Sequence, residues 1–128
     1  MKRMLSLAVL VAVVAGGVAF GEPGAYRHVV MFLLKEGTSA EKVEEIERAF
    51  GELPKQIEAI RSFEWGRNVS PEGLNPQLTH CFTLTFDSQA AIEKGYLHHP
   101  AHEAFVALIK PHLEKAVVVD YVAQPPAK

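Results

Sequence analysis

The chain has 128 residues, with 13 Lys and Arg, 15 Asp and Glu, and one cysteine. Two of the basic residues, Lys2 and Arg3, precede an N-terminal apolar segment, so the rest carries 11 basic against 15 acidic residues, a formal charge of −4. This acidic balance excludes nucleic acid as an expected partner. Because Cys81 is alone, no internal disulfide can stabilise the fold.

The N-terminus has the pattern of an export signal. Lys2 and Arg3 are followed by an apolar run from Met4 to Phe20, with small residues around Gly21 that are typical of a cleavage region. We predict a signal peptide over residues 1–21 that is cleaved near Gly21, which gives a periplasmic or secreted protein without a membrane anchor. Retention of the segment as an anchor is the alternative. Residues 22–25 then form a linker.

The first half of the remaining chain predicts strand, helix and strand. Residues 27–34 are almost uniformly apolar, which is typical of a strand buried on both faces. Thr38 and Ser39 are suited to cap a helix whose apolar residues recur every three or four positions until Pro54, its expected end, with an irregular extension to Ile57 as the alternative. Residues 60–69 alternate between the two faces of a second strand.

The second half predicts a strand, two helices and a strand. Residues 80–86 alternate, which places His80 and three apolar side chains on one face. Ser88 is suited to cap a helix that extends to about His98, and Pro100 begins another. The β-branched residues 117–122 form the final strand, and residues 123–128 form a disordered tail. The apolar side of the last helix comprises Phe105, Leu108, Ile109 and Leu113.

The predicted order is β-α-β-β-α-α-β, which is an α+β, ferredoxin-like arrangement over residues 26–122. Its four strands form one antiparallel sheet, and the helices cover one face. The other face keeps apolar side chains although the chain has no disulfide. A second copy is the natural cover, so we expect a homodimer.

The segment from Tyr96 to His102 concentrates groups suited to acid and base chemistry. Three of the six histidines and one tyrosine surround Pro100, which can only begin a helix. His102 then lies in the first helical turn, where the exposed amide groups disfavour an imidazolium. A neutral imidazole beside a phenol predicts a base and a hydrogen-bond donor at one site.

The other histidines give less specific predictions of function. His98, His99 and His102 are spaced as metal ligands, but no carboxylate or thiol ligand accompanies them, and His99 fits a helix-entry position. We therefore predict neither a metal nor a cofactor. His28 and His80 begin strands beside apolar neighbours, so they either contact a ligand at the rim of the core or are structural residues.

Several of these residues together resemble the stress-responsive dimeric A/B barrel domain family over residues 26–122. The resemblance implies a homodimer in which two sheets face each other as a dimeric α/β barrel. The most specific parts are the segment His99 to His102 and the closing Asp-Tyr pair. The matching residues are His28, Trp65-Gly66, Thr79-His80, Phe86-Asp87-Ser88, the segment Tyr96 to His102, Phe105 and Asp120-Tyr121.

The family includes a plant polyketide cyclase that uses no metal or cofactor, and the resemblance implies site residues. Its catalytic Tyr and His match Tyr96 and His102, two pocket histidines match His28 and His80, and Asp120 matches an aspartate that supports the catalytic His. We expect an exported protein that binds a small apolar or aromatic molecule in a pocket between sheet and helices. The alternative is a cofactor-free cyclase, isomerase or lyase.

Overall fold

The structure is a computed structural model that describes residues 23–128, so the predicted signal peptide lies outside the described residues. The predicted order of elements and the ferredoxin-like α+β class are confirmed. A short 3₁₀ turn, Lys110–His112, connects the last helix to the last strand. The elements are β1 (Tyr26–Leu34), α1 (Ala40–Gln56), β2 (Ser62–Arg67), β3 (His80–Phe86), α2 (Gln89–Gly95), α3 (Pro100–Ile109) and β4 (Leu113–Val122).

The four strands form one antiparallel sheet in the order β2-β3-β1-β4. His28 lies opposite Leu84 on β3 and opposite Asp120 on β4. Because residues that lie opposite each other share a face, the helix side of the sheet contains the even-numbered residues of β1 and β3 and those of β4 from Ala116 to Val122. A register shift near the start of β4 places Leu113 opposite Leu34 on the same side. The alternation predicted for β3 is confirmed, since His80, Phe82, Leu84 and Phe86 are all buried.

The core between the sheet and the helices is mainly aromatic. Phe50 of α1 stacks on Phe82 of β3 with ring centroids 3.9 Å apart, and Phe105 of α3 meets Phe50 edge-on at 4.7 Å. Replacing such a buried ring with alanine costs roughly 3–5 kcal/mol. These side chains fill the middle of the layer, so groups available to a ligand lie towards its edges.

In addition to β2, which covers Ser62–Arg67 rather than residues 60–69, three predicted boundaries are wrong. Helix α1 continues past Pro54 to Gln56, because the Ile57 N–H donates to the Leu53 carbonyl at 2.9 Å and closes the last turn around the proline. Helix α2 ends at Gly95 rather than near His98, since the chain must become extended before Pro100.

The third error concerns the start of the last strand. β4 begins at Leu113, which pairs with Leu34, rather than at Val117. Leu113 therefore belongs to the sheet and not to the apolar side of α3. Pairing with β1 determines this boundary, and the local pattern of residues 113–116 contains little β-branched sequence to indicate it.

The sheet face opposite the helices has no cover within the described residues. Of the residues in β1, only His28 and Phe32 are buried, so the predicted burial on both faces is not reached in a single chain. Between Pro23 and Lys128, no helix is both long and apolar enough to span a membrane. The apolar side chains on the open face include Val29, Met31, Val117, Val119 and Tyr121.

Candidate functional site

Tyr96 and His102 meet at the corner between α2 and α3. Tyr96 is the C-cap of α2, and His102 is the third residue of α3. The His99 Nδ1 atom accepts a hydrogen bond from the Ala101 N–H at 3.1 Å, so His99 is the predicted helix-entry residue. The tight corner brings the Tyr96 and His102 rings to a centroid distance of 4.3 Å, inclined by 38°.

The environment of His102 favours a neutral ring with a free lone pair. Its Nδ1–H donates to the Leu97 carbonyl at 3.0 Å, which leaves Nε2 as the acceptor nitrogen of the neutral form. Burial lowers the pKa of His102 below its usual value. At neutral pH this imidazole is therefore unprotonated at Nε2 and available as a base.

Tyr96 supplies a hydrogen-bond donor. The residue is only 1% exposed, and burial, followed by the nearby charge of Asp120, raises the pKa of its phenol well above the usual range. No described group hydrogen-bonds the hydroxyl, yet every fully buried side-chain oxygen or nitrogen in residues 23–128 has a partner. The Tyr96 hydroxyl oxygen is therefore not completely enclosed, and the phenol stays protonated at neutral pH.

A second histidine, His28, joins Tyr96 and His102, and with Asp120 and Tyr26 these residues form a group that we call the Tyr96 cluster. The His28 ring lies 5.5 Å from the Tyr96 ring, and its Nδ1 atom is 2.6 Å from Asp120 Oδ1. The other carboxylate oxygen, Oδ2, accepts a hydrogen bond from the Tyr26 hydroxyl at 2.9 Å. The expected hydrogen bond between Asp120 and His102 is not formed within the described residues, since Asp120 bonds to His28 and Tyr26 and His102 Nδ1 bonds to the Leu97 carbonyl.

Exposed apolar side chains surround the cluster. Val118 and Val122 flank Asp120 on the helix side of β4, and Val106 lies one turn after His102 on α3. These three valines, which we call the apolar rim, are between 43% and 54% exposed. Because α3 packs chiefly against α1, it leaves this side of β4 open. The site therefore lies at the open edge of the sheet–helix layer rather than in an enclosed pocket.

His80 lies apart from the other four predicted site residues. It is four register positions from Leu84, the β3 partner of His28, which is about 13 Å along the sheet. Its Nε2 and Nδ1 atoms are each 2.8 Å from a partner, Glu47 Oε1 and Thr79 Oγ1 respectively. A cleft of about 600 Å³ lies beside it, between the loops that follow β1 and β2.

Glu47 is the residue that sequence reasoning missed at this end. It lies on the charged side of α1, where a solvent-exposed role is the default, but its carboxylate also accepts from Arg67 Nε at 2.7 Å. Burial acts to raise the pKa of Glu47, and the hydrogen bonds from His80 and Arg67 outweigh it, so the pKa lies below its usual value. Glu47 and Arg67, the two charged residues beside His80, thus have a structural role.

Tyr26 is the second missed residue, and it belongs to the Tyr96 cluster. Its two-residue spacing from His28 on one strand was a usable signal, because such residues share a face. Cys81 is half-buried on the opposite face of the sheet, away from every candidate site residue. Within residues 23–128, no group of three or more His, Cys, Asp or Glu side chains is arranged to hold a metal ion.

Two curated proteins are similar to this chain in sequence. A stress-response A/B barrel domain-containing protein of Arabidopsis thaliana is 39% identical over 98 residues, covering 77% of this chain and 89% of that protein. The olivetolic acid cyclase of Cannabis sativa is 28% identical over 97 residues, covering 76% of this chain and 95% of the cyclase.

Solved structures agree with these similarities. A hydroxynitrile lyase from Passiflora edulis superposes with a TM-score of 0.76 at 25% identity, covering 84% of this chain and all of the lyase. A dimeric protein of unknown function with a ferredoxin-like fold from Bacteroides fragilis gives a TM-score of 0.64 at 27% identity, covering 78% of this chain and 97% of that protein.

The family comparison covers most of the chain. Residues 26–123 match the family described as Stress responsive A/B Barrel Domain. The match includes the seven α-helices and strands of residues 23–128 and the whole Tyr96 cluster. Together with the 39% identity to the Arabidopsis protein, it establishes that this chain belongs to the stress-responsive A/B barrel domain family.

Proposed function

We propose that this chain binds a small apolar or aromatic molecule at the Tyr96 cluster. The observation that carries the proposal is a group of three polar atoms that have no hydrogen-bond partner among residues 23–128 and lie beside an apolar rim. The atoms are the Tyr96 hydroxyl and the Nε2 nitrogens of His28 and His102. A ligand with an apolar body and one polar end matches this combination, since pockets for small molecules pair apolar walls with a few placed polar groups.

The binding test uses benzaldehyde, a small aromatic carbonyl compound, as the probe. We expect titration to shift the NMR signals of the His102 and His28 rings while those of His80 stay unchanged. Mass spectrometry of small molecules that copurify with the chain then searches for the natural ligand. Benzaldehyde that moves only His80, or that moves no histidine, would contradict the proposed site.

A second candidate function is cofactor-independent lyase or cyclase chemistry at the same cluster. In this candidate, His102 Nε2 removes a proton next to a carbonyl or from a hydroxyl, and the Tyr96 hydroxyl hydrogen-bonds the oxygen that gains charge. A carbon–carbon bond then forms or breaks, and the proton on His102 returns to the product. Relatives named olivetolic acid cyclase and hydroxynitrile lyase support this chemistry.

The catalytic test measures cyanide release from mandelonitrile, an aromatic hydroxynitrile. Base removal of the hydroxyl proton breaks the bond to the nitrile carbon, which leaves benzaldehyde and cyanide. We expect His102→Ala to lower the rate by about 10²–10⁴-fold, the usual contribution of a positioned base. His112→Ala, in the turn before β4, is the control. Release that is equal in both variants would remove His102 from the mechanism.

We further propose that the chain is an exported homodimer. The open apolar face of the sheet supports dimer formation, because a second copy would bury it. The similarity to the dimeric Bacteroides fragilis protein supports the same assembly. Export rests on the pattern of residues 1–21, and the intact mass of the chain recovered from the periplasm or medium tests cleavage near Gly21.

A further inference from the structure

One strand holds both oxygens of the Asp120 carboxylate. Tyr26 and His28 are two residues apart on β1, so their side chains share a face, and Asp120 lies opposite His28 on β4. The Tyr26 hydroxyl donates to Oδ2 at 2.9 Å, and His28 Nδ1 lies 2.6 Å from Oδ1. The carboxylate therefore bridges a phenol and an imidazole.

The position of Asp120 explains why a second anchor matters. β4 is an edge strand, and the Asp120 side chain is 29% exposed, so water competes for its oxygens, and a carboxylate bonded only through Oδ1 would be free to rotate. A hydrogen bond to Oδ2 fixes the plane of the carboxylate and directs Oδ1 at His28. Burial, followed by the hydrogen bond to Asp120, raises the pKa of Tyr26, so its phenol stays a donor at neutral pH.

We infer that Tyr26 is a positioning residue that acts through Asp120 to hold His28 in one tautomer, with the proton on Nδ1 and the lone pair on Nε2. The Nε2 atom lies on the side of the ring away from Asp120, and the ring centroid is 5.5 Å from that of Tyr96. This inference deepens the proposed function and rests on it, because a fixed Nε2 matters to a ligand only if a ligand binds there.

The fixed tautomer of His28 restricts which hydrogen-bonding groups a ligand of this site can have. His28 and His102 each present an acceptor nitrogen, since the Nδ1 proton of His102 is engaged by the Leu97 carbonyl. Tyr96 presents the single donor. A complementary ligand needs a hydrogen-bond donor, such as a hydroxyl or an acidic C–H, next to an acceptor such as a carbonyl or nitrile. A purely hydrocarbon ligand would leave all three atoms without partners.

The test is ¹H–¹⁵N NMR of the histidine rings in the ligand-free protein at about pH 8.5, two units above the usual histidine pKa. Nitrogen shifts distinguish the two neutral tautomers. We expect wild-type His28 to show only the Nδ1–H pattern, with a slowly exchanging, far-downfield proton. Tyr26→Phe should lose this single pattern, with an Nε2–H population appearing and proton exchange with water faster by tenfold or more.

Two further variants make the outcome decisive. Asp120→Ala shows the pattern of a His28 ring without its carboxylate, and Tyr121→Phe makes the same chemical change as Tyr26→Phe on the opposite face of β4. A wild-type pattern in Tyr26→Phe, or equal loss in Tyr121→Phe, would overturn the inference. The NMR measurement uses the ligand-free protein. Its result therefore does not depend on whether benzaldehyde binds or mandelonitrile is cleaved, and the two proposals can fail separately.

Discussion

The ring centroids of Tyr96 and His102 lie 4.3 Å apart, although five residues and the start of α3 separate them along the chain. The two groups do not hydrogen-bond each other, since His102 Nδ1 uses the Leu97 carbonyl and the Tyr96 hydroxyl has no partner among the described residues. A purely structural pair would use its polar atoms internally. In this pair the Tyr96 hydroxyl, a donor, and His102 Nε2, an acceptor, stay available to a bound molecule.

Tyr96→Phe separates a structural from a functional role for the phenol. The variant keeps the ring and removes a hydroxyl that stabilises nothing visible in the fold, so we expect the free energy of unfolding in urea to change by less than about 0.5 kcal/mol. If the cluster is catalytic, loss of the donor should lower mandelonitrile cleavage by about 10²–10³-fold. Destabilisation by more than about 2 kcal/mol would instead indicate a hidden structural bond.

The second prediction concerns pH. Burial lowers the pKa of folded His102 below its unfolded value of about 6.5, so the unfolded chain binds more protons as the pH falls. The contribution of His102 to stability is therefore complete above about pH 6.5 and is lost as the pH falls through the folded pKa. Urea unfolding of His102→Ala should show a smaller loss of stability on acidification than wild type.

His112→Ala is the matched control for this pH experiment. Burial is the main cause that lowers the pKa of His102, and the charge of His28 adds to it, whereas the Leu97 hydrogen bond and Glu103 oppose it. Removing His112 leaves all of these contacts in place, so its stability should follow the wild-type pH dependence. Equal flattening of the pH dependence in both variants would show that His102 is not the responsible group.

The local features of the fold were predictable from sequence, and the long-range pairings were not. Ser39 and Ser88 cap their helices and β3 alternates as expected, because these features depend on neighbouring residues. The His80–Glu47 bond joins residues 33 positions apart across two elements, so no local pattern indicates it. Family resemblance named Asp120 as a site residue, but only the β1–β4 register shows that it contacts His28.

Neighbouring valines on β4 separate assembly from ligand binding. Val119 belongs to the open face of the sheet, whereas Val118 belongs to the apolar rim. We expect Val119→Asp to convert a dimer into a monomer in sedimentation velocity, because a buried, unpaired carboxylate opposes association. Val118→Asp should stay dimeric and lose benzaldehyde binding. If Val118→Asp became monomeric and Val119→Asp lost benzaldehyde binding, the two faces of β4 would have been assigned incorrectly.

A pair of glycines gives the last prediction. A Cβ atom on Gly95 would lie 2.8 Å from the Ala59 Cβ, whereas one on Gly51 would meet nothing within 4 Å. Gly95→Ala must therefore push the end of α2 away from the loop after α1. We expect it to destabilise the fold by about 1–3 kcal/mol, as overpacking does. Gly51→Ala should instead stabilise it by about 0.5–1 kcal/mol, because alanine is favoured within a helix.

The same substitution also reports on the site, because Gly95 directly precedes Tyr96. A shift of α2 displaces the phenol from His102, so we expect Gly95→Ala to weaken benzaldehyde binding as well as stability, whereas Gly51→Ala leaves binding unchanged. The double variant Gly95→Ala with Ala59→Gly removes the opposing Cβ and should recover both properties. If stability returns without binding, the position of Tyr96 depends on more than the Gly95–Ala59 contact. The N-cap of α2 at Ser88 would then be the contact that fixes the position of this helix.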